Sequence, residues 1–163
     1  MNITPLSQRD PKWAERLLGT SNLTIGEAGC LLTVITMVAN YFGADLWPNE
    51  LDVLLEYVGG YEQKNLFAWF AVGRVAPITV YDSGTCFDEP APMDKLHKHI
   101  EEGRPVICKV DDWRGVRNDK REHYVLMIEN DQCIDPWFGE VRPMANPARD
   151  VLSFYVYRRK NAL

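Results

Sequence analysis

The sequence lacks any apolar run approaching the roughly 18 residues that cross a bilayer, any internal repeat, any low-complexity tract and any block of basic charge. Each absence removes a class of protein. A net charge of -5, with Arg158-Arg159-Lys160 as the densest basic cluster, does not provide the field that phosphate binding needs, so no nucleic-acid partner is expected. Met1-Asn2-Ile3-Thr4-Pro5 has neither the basic start nor the apolar run of a secretory signal or transmembrane segment, so a cytoplasmic location without a membrane partner is expected. Cys30, Cys86, Cys108 and Cys133 are too scattered for the paired ligands of a structural zinc site. In a chain without a signal they read as reduced thiols, and no metal or cofactor is expected.

What is present describes a packed domain. With 163 residues, 46% hydrophobic and 25% charged, the chain is sized for one core, and residues 1–163 read as a single domain. Leu6 to Leu23 is an irregular lead-in with one helical turn expected near Trp13 to Leu18. Cys30 to Phe42 is almost wholly apolar or small and stops at Gly43, which predicts a helix buried on most sides. Pro48 to Val58 has helical spacing and ends at Gly59-Gly60; Asn65 to Val75 reads as a third amphipathic helix, Pro77 to Tyr81 as a short strand and Pro92 to Glu102 as a fourth helix. The second half then turns to β-rich runs at Pro105–Val110, Tyr124–Glu129, Gln132–Asp135 and Val151–Tyr157. Helices first and an antiparallel sheet second is the pattern of an α+β domain.

Chemistry concentrates around one cysteine. Cys30 opens the buried helix directly after Gly29, where the positive end of the helix dipole favours a thiolate, so a lowered thiol pKa is expected. His123 stands at the start of a strand after the polar segment 111–122, and it is the best candidate base. His97 and His99 sit among Lys95, Lys98, Glu101 and Glu102 and read as solvated surface residues. Asp135 ends the next strand, and a hairpin through Asn130-Asp131 would carry it to His123, where a carboxylate fixes the imidazole tautomer. The Cys30 N–H is one candidate oxyanion donor and the Gln8 side-chain amide a second. Cys108 reads as core, while Cys133 shares the Asp135 face of its strand; Trp113, Trp137 and Phe138 flank the proposed base and orienter. Asp111 and Asp112 read as loop residues rather than a metal site.

The stretches Leu6-Ser7-Gln8-Arg9-Asp10-Pro11-Lys12-Trp13, Ile25-Gly26-Glu27-Ala28-Gly29-Cys30-Leu31-Leu32-Thr33, Glu122-His123-Tyr124-Val125-Leu126 and Ile134-Asp135-Pro136-Trp137-Phe138-Gly139 resemble the bacteriocin-leader-peptidase-like branch of the papain-like cysteine peptidases. That branch includes stand-alone domains of bacteria and phages. The resemblance implies a papain-like fold with N-terminal helices packed on a C-terminal antiparallel sheet. It assigns Gln8 to the oxyanion hole, Cys30 as nucleophile, His123 as base and Asp135 as its orienter. Leu31 stands where leader peptidases commonly have glycine, so the resemblance does not extend to double-glycine specificity.

The expected activity is hydrolysis of a peptide or isopeptide bond in a peptide or protein substrate. Two alternatives share the fold: hydrolysis of peptidoglycan peptides, and a non-catalytic binding or structural module in a phage particle or toxin assembly. The last of these adds a virion-associated location and a larger assembly as partner.

Overall fold

The computed structural model describes residues 1–111, 123–129 and 131–160. Trp113, Asp112, Asn130 and most of the polar segment before His123 therefore lie outside the described residues.

The helical half begins at a reciprocal cap. The Thr24 hydroxyl accepts from the Glu27 N–H while the Glu27 carboxylate accepts from the Thr24 N–H at 2.8 Å, which starts the single turn α1 (Ile25–Ala28). Gly29 joins it to α2 (Cys30–Tyr41), ten of whose 12 residues are buried. Thr33 and Thr36 enter that core only because their hydroxyls donate back to the Gly29 and Leu32 carbonyls, each at 2.8 Å. α3 (Pro48–Tyr57) follows with proline in its first turn and Leu51 and Leu55 turned inward.

The helix expected over Asn65 to Val75 does not form. The chain instead makes a hairpin, β1 (Tyr61–Gln63) and β2 (Leu66–Phe67), and only the short α4 (Val72–Val75) is helical. Tertiary contacts decide this: Trp69 stacks on Tyr155 with ring centroids 3.5 Å apart, and its carbonyl accepts from the Tyr157 hydroxyl at 2.9 Å. The Ala68 N–H donates to the Gly60 carbonyl at 2.8 Å, closing the hairpin. Those contacts hold a strand and then a turn over 66–71 where side-chain spacing alone suits a helix.

The remaining elements are β3 (Ile78–Thr85), α5 (Met93–Glu101), β4 (Val106–Val110), β5 (His123–Glu129), β6 (Gln132–Asp135), β7 (Glu140–Pro143), α6 (Pro147–Asp150) and β8 (Val151–Arg159). Six strands form one antiparallel sheet in the order β3-β8-β4-β5-β6-β7. α2 packs on β5, and Leu31, Leu32 and Ile35 join Leu126, Ile128 and Ile134 in one core. α5 packs against β4 and β5, with Leu96 in a second core that holds Val106, Cys108, Val125 and Met127. Alternate residues of β5 serve the two cores, as the two-residue strand period requires. The mixed helical and antiparallel architecture is the expected α+β class.

One surface assignment is corrected. His99 is buried, its Nε2 lies 2.8 Å from the Asp82 carboxylate, and its Nδ1 accepts from Arg104 Nε at 3.3 Å. It fastens α5 to β3 rather than facing water, while His97 stays partly exposed beside Asp131.

Candidate active site

The β5–β6 pairing places Leu126 opposite Ile134, so the start of β5 and the end of β6 meet at one end of the sheet. Both His123 and Asp135 are buried there, and His123 Nε2 lies 2.9 Å from Asp135 Oδ1. The Trp137 N–H donates to the same oxygen at 2.9 Å, so the turn after β6 grips the carboxylate that faces the imidazole. With Nε2–H committed to the carboxylate, the neutral ring carries its basic lone pair on Nδ1.

The same turn seats the N-terminal lead-in. Gly139 has φ +71° and lies so close to Ser7 that a Cβ there would come within 2.7 Å of the Ser7 Cβ. That approach lets the Gln8 N–H donate to the Pro136 carbonyl at 2.8 Å, while Trp13 Nε1 donates to the Ser7 carbonyl at 2.9 Å. Gln8 is almost fully buried, and its Nε2 donates to the Gly26 carbonyl at 3.0 Å. The opposite amide orientation would set two acceptors against each other, so the Gly26 carbonyl selects this one. The amide retains a second N–H, and its Oε1 has no hydrogen-bond partner among the described residues.

Cys30 enters from α2. The backbones of Tyr124, of Leu31 and of Cys30 itself hydrogen-bond its sulfur, which places the thiol against the residue that follows His123. The expected acidification does not result. Burial pushes the Cys30 thiol up to about 11, and although those hydrogen bonds oppose it, the Asp135 charge adds to the rise. The helix terminus does supply donors, but desolvation by burial outweighs them.

Cys30, His123, Gln8 and Trp137 all line one cleft of about 410 Å³. Its other walls are Leu18 and Leu23 from the loop before α1, Leu31 from α2, and Asn65, Leu66 and Phe67 from the β1–β2 hairpin. Of these walls the sequence singles out only Leu31, because the hairpin segment has helical spacing and Leu18 and Leu23 lie in an irregular lead-in. The short-range signal that could have exposed the hairpin was Lys64-Asn65 between two runs containing aromatic residues. Phe138, by contrast, is exposed with Arg142 over its ring at 4.0 Å.

Asp135 also borders a second cavity of about 150 Å³, shared with Asp111, Cys133 and Arg142. Burial pushes the Cys133 thiol up to about 12 and raises Cys108 as well, as expected of core cysteines. Among the described residues no group of three or more His, Cys, Asp or Glu side chains is arranged to hold a metal, and no helix is long and apolar enough to cross a membrane.

A thiol, an imidazole oriented by a carboxylate, and N–H donors within one cleft are the components of nucleophilic acyl transfer. Comparison with known proteins gives a family and a fold. The model of the Peptidase_C39 like family matches residues 1–162. The fold is similar to that of a Bacillus anthracis chain described as a C39-like peptidase, with a TM-score of 0.56, 14% sequence identity and coverage of 97% of this chain and 96% of that one. No curated protein matches the sequence.

Proposed function

The chain belongs to the C39-like peptidase family, and on that premise we propose that it is a cysteine peptidase working through Cys30, His123 and Asp135 on a peptide or isopeptide bond. The observation that carries this reading is the 2.9 Å contact between His123 Nε2 and Asp135 Oδ1 at the edge of a cleft that also holds Cys30 and Gln8.

Burial keeps the Cys30 thiol protonated at rest, so proton transfer belongs to the attack rather than preceding it. His123 Nδ1 takes the thiol proton as sulfur bonds to the substrate carbonyl carbon, and Asp135 stabilises the imidazolium that forms. The carbonyl oxygen becomes an oxyanion held by the Cys30 N–H and the second Gln8 Nε2–H. The imidazolium then protonates the amine as the C–N bond breaks, leaving a thioester on Cys30. Water, deprotonated by His123, attacks the thioester, releasing the acid and restoring the thiol.

The test is a proteome-wide comparison of new N-termini generated by wild-type protein and by Cys30→Ser, with His123→Ala alongside. Cleavages made by the wild type and absent from both variants are expected. Identical N-terminal profiles from all three proteins would overturn the reading.

A further inference from the structure

The walls of the cleft away from Cys30 are built from two loops locked to each other. In the loop before α1, the Leu18 N–H donates to the Leu23 carbonyl at 2.9 Å, and the Thr20 N–H crosses to the Lys64 carbonyl of the hairpin at 2.9 Å. Asp52 of α3, itself buried, accepts from the Gly19 N–H at 3.1 Å and from the Tyr61 hydroxyl, so one carboxylate clamps both loops. Gly19 has φ +55°, and a Cβ there would lie 2.6 Å from the Lys64 carbonyl oxygen. The loops meet at backbone distance, and only glycine permits it.

This locked pair presents Leu18, Leu23, Leu66 and Phe67 to the cleft. Leu23 and Leu66 remain 43% and 37% exposed, an apolar surface at the mouth of a concave site. Among the described residues that line the cleft, Glu27 is the one carboxylate and none is lysine or arginine. A preformed concave wall of leucine and phenylalanine beside a nucleophile selects by burying apolar surface. Resting on the peptidase reading, we propose that these loops form a specificity subsite for a large aliphatic or aromatic side chain close to the scissile bond. A glycine pair would leave that wall uncovered.

The test uses dipeptidyl chloromethyl ketones carrying Leu, Phe, Gly or Asp at each of the two positions, with Cys30 alkylation followed by intact-mass spectrometry. The sulfur bonds to the methylene carbon and chloride leaves. At one of the two positions Leu or Phe is expected to react about 100-fold faster than Gly, given that a single methylene in an apolar pocket is worth about 10–200-fold. Leu66→Ala and Leu23→Ala should each lower the Leu-to-Gly rate ratio about tenfold. Gly19→Ala should lower it too, by forcing the hairpin away. Val53→Ala, exposed on α3 outside the cleft lining, should leave the ratio unchanged. Labelling of Cys30 that is indifferent to side chain or fastest for Gly-Gly, or a ratio unmoved in both leucine variants, overturns the subsite while leaving the peptidase reading intact. Failure of every probe to label a folded Cys30 overturns both.

Discussion

Replacing Asp135 separates holding the imidazole from charging its surroundings, because both of its bonds fall on one oxygen. His123 Nε2 and the Trp137 N–H each lie 2.9 Å from Oδ1. Asp135→Ala removes that oxygen and leaves two donors without their acceptor in a buried position. Each stranded donor costs about 1–3 kcal/mol, so the loss of stability is about 2–6 kcal/mol. For a domain of this size each kcal/mol lowers Tm by about 2–4 °C, giving a fall centred on about 10 °C. Asp135→Asn retains Oδ1, so both donors keep their acceptor and His123 keeps the same tautomer. What it loses is the negative charge facing the imidazolium. The asparagine variant is therefore expected to stay within about 1 kcal/mol of wild type. It should also keep a kcat/KM at least about tenfold above that of the alanine variant, since positioned general-base catalysis is worth about 10²–10⁴-fold. Urea denaturation at 25 °C gives the stabilities, and a peptide identified by N-terminal profiling gives the kinetics. An alanine variant destabilised by less than about 1 kcal/mol, or an asparagine variant that falls as far as alanine on both measures, would refute the reasoning.

Three further outcomes follow from the same geometry. The Cys30 thiol, ordinarily at 9.0, is raised to about 11 in the folded protein, so between those values the unfolded chain loses its proton first and stability falls as pH rises. The wild type should lose about 2 kcal/mol more than Cys30→Ser between pH 9 and 11 in urea unfolding, and parallel pH profiles would contradict the burial argument. With iodoacetamide at neutral pH, half-exposed Cys86 should be alkylated before Cys30, Cys108 and Cys133, and the Cys30 rate should keep climbing beyond pH 9; a Cys30 plateau below pH 8.5 would mean that the thiolate is preformed. Gln8→Ala should lower kcat by about 10²–10³-fold with a small change in KM, and a kcat within twofold of wild type would remove Gln8 from the oxyanion site.

The parts of the fold that could be read from sequence are those whose side-chain pattern and tertiary environment agree. α2 is apolar on nearly every face and proves buried on nearly every face, and β4, β5, β6 and β8 fall where β-branched and aromatic runs place them. The segment from Asn65 to Val75 was misread because the stacking of Trp69 on Tyr155 and its bond from Tyr157 involve partners far along the chain. His99 was misread for a related reason: its neighbours in sequence are charged, but Asp82 on another element decides its burial. The resting state of Cys30 was equally hidden. A helix start can be seen in the sequence, whereas the desolvation that outweighs it comes from tertiary burial.

Gln8 is held by two parts of the chain that are far apart in sequence. The Gly26 carbonyl holds its side-chain amide from the chain that leads to Cys30, while the Gly139–Ser7 contact and the bond to the Pro136 carbonyl hold its backbone from the opposite side, through the turn that also holds Asp135. The chain between Gln8 and Cys30 also takes on another task. It becomes the loop that carries Leu18 and Leu23 into the cleft, with Leu17 bridged to Thr24 at its neck, and then the capped turn α1. One turn thus holds the Gln8 backbone and the Asp135 carboxylate together, and the chain that follows Gln8 both holds its side chain and lines the cleft. Changes in this loop should accordingly alter which side chains are accepted before they alter the chemistry at Cys30.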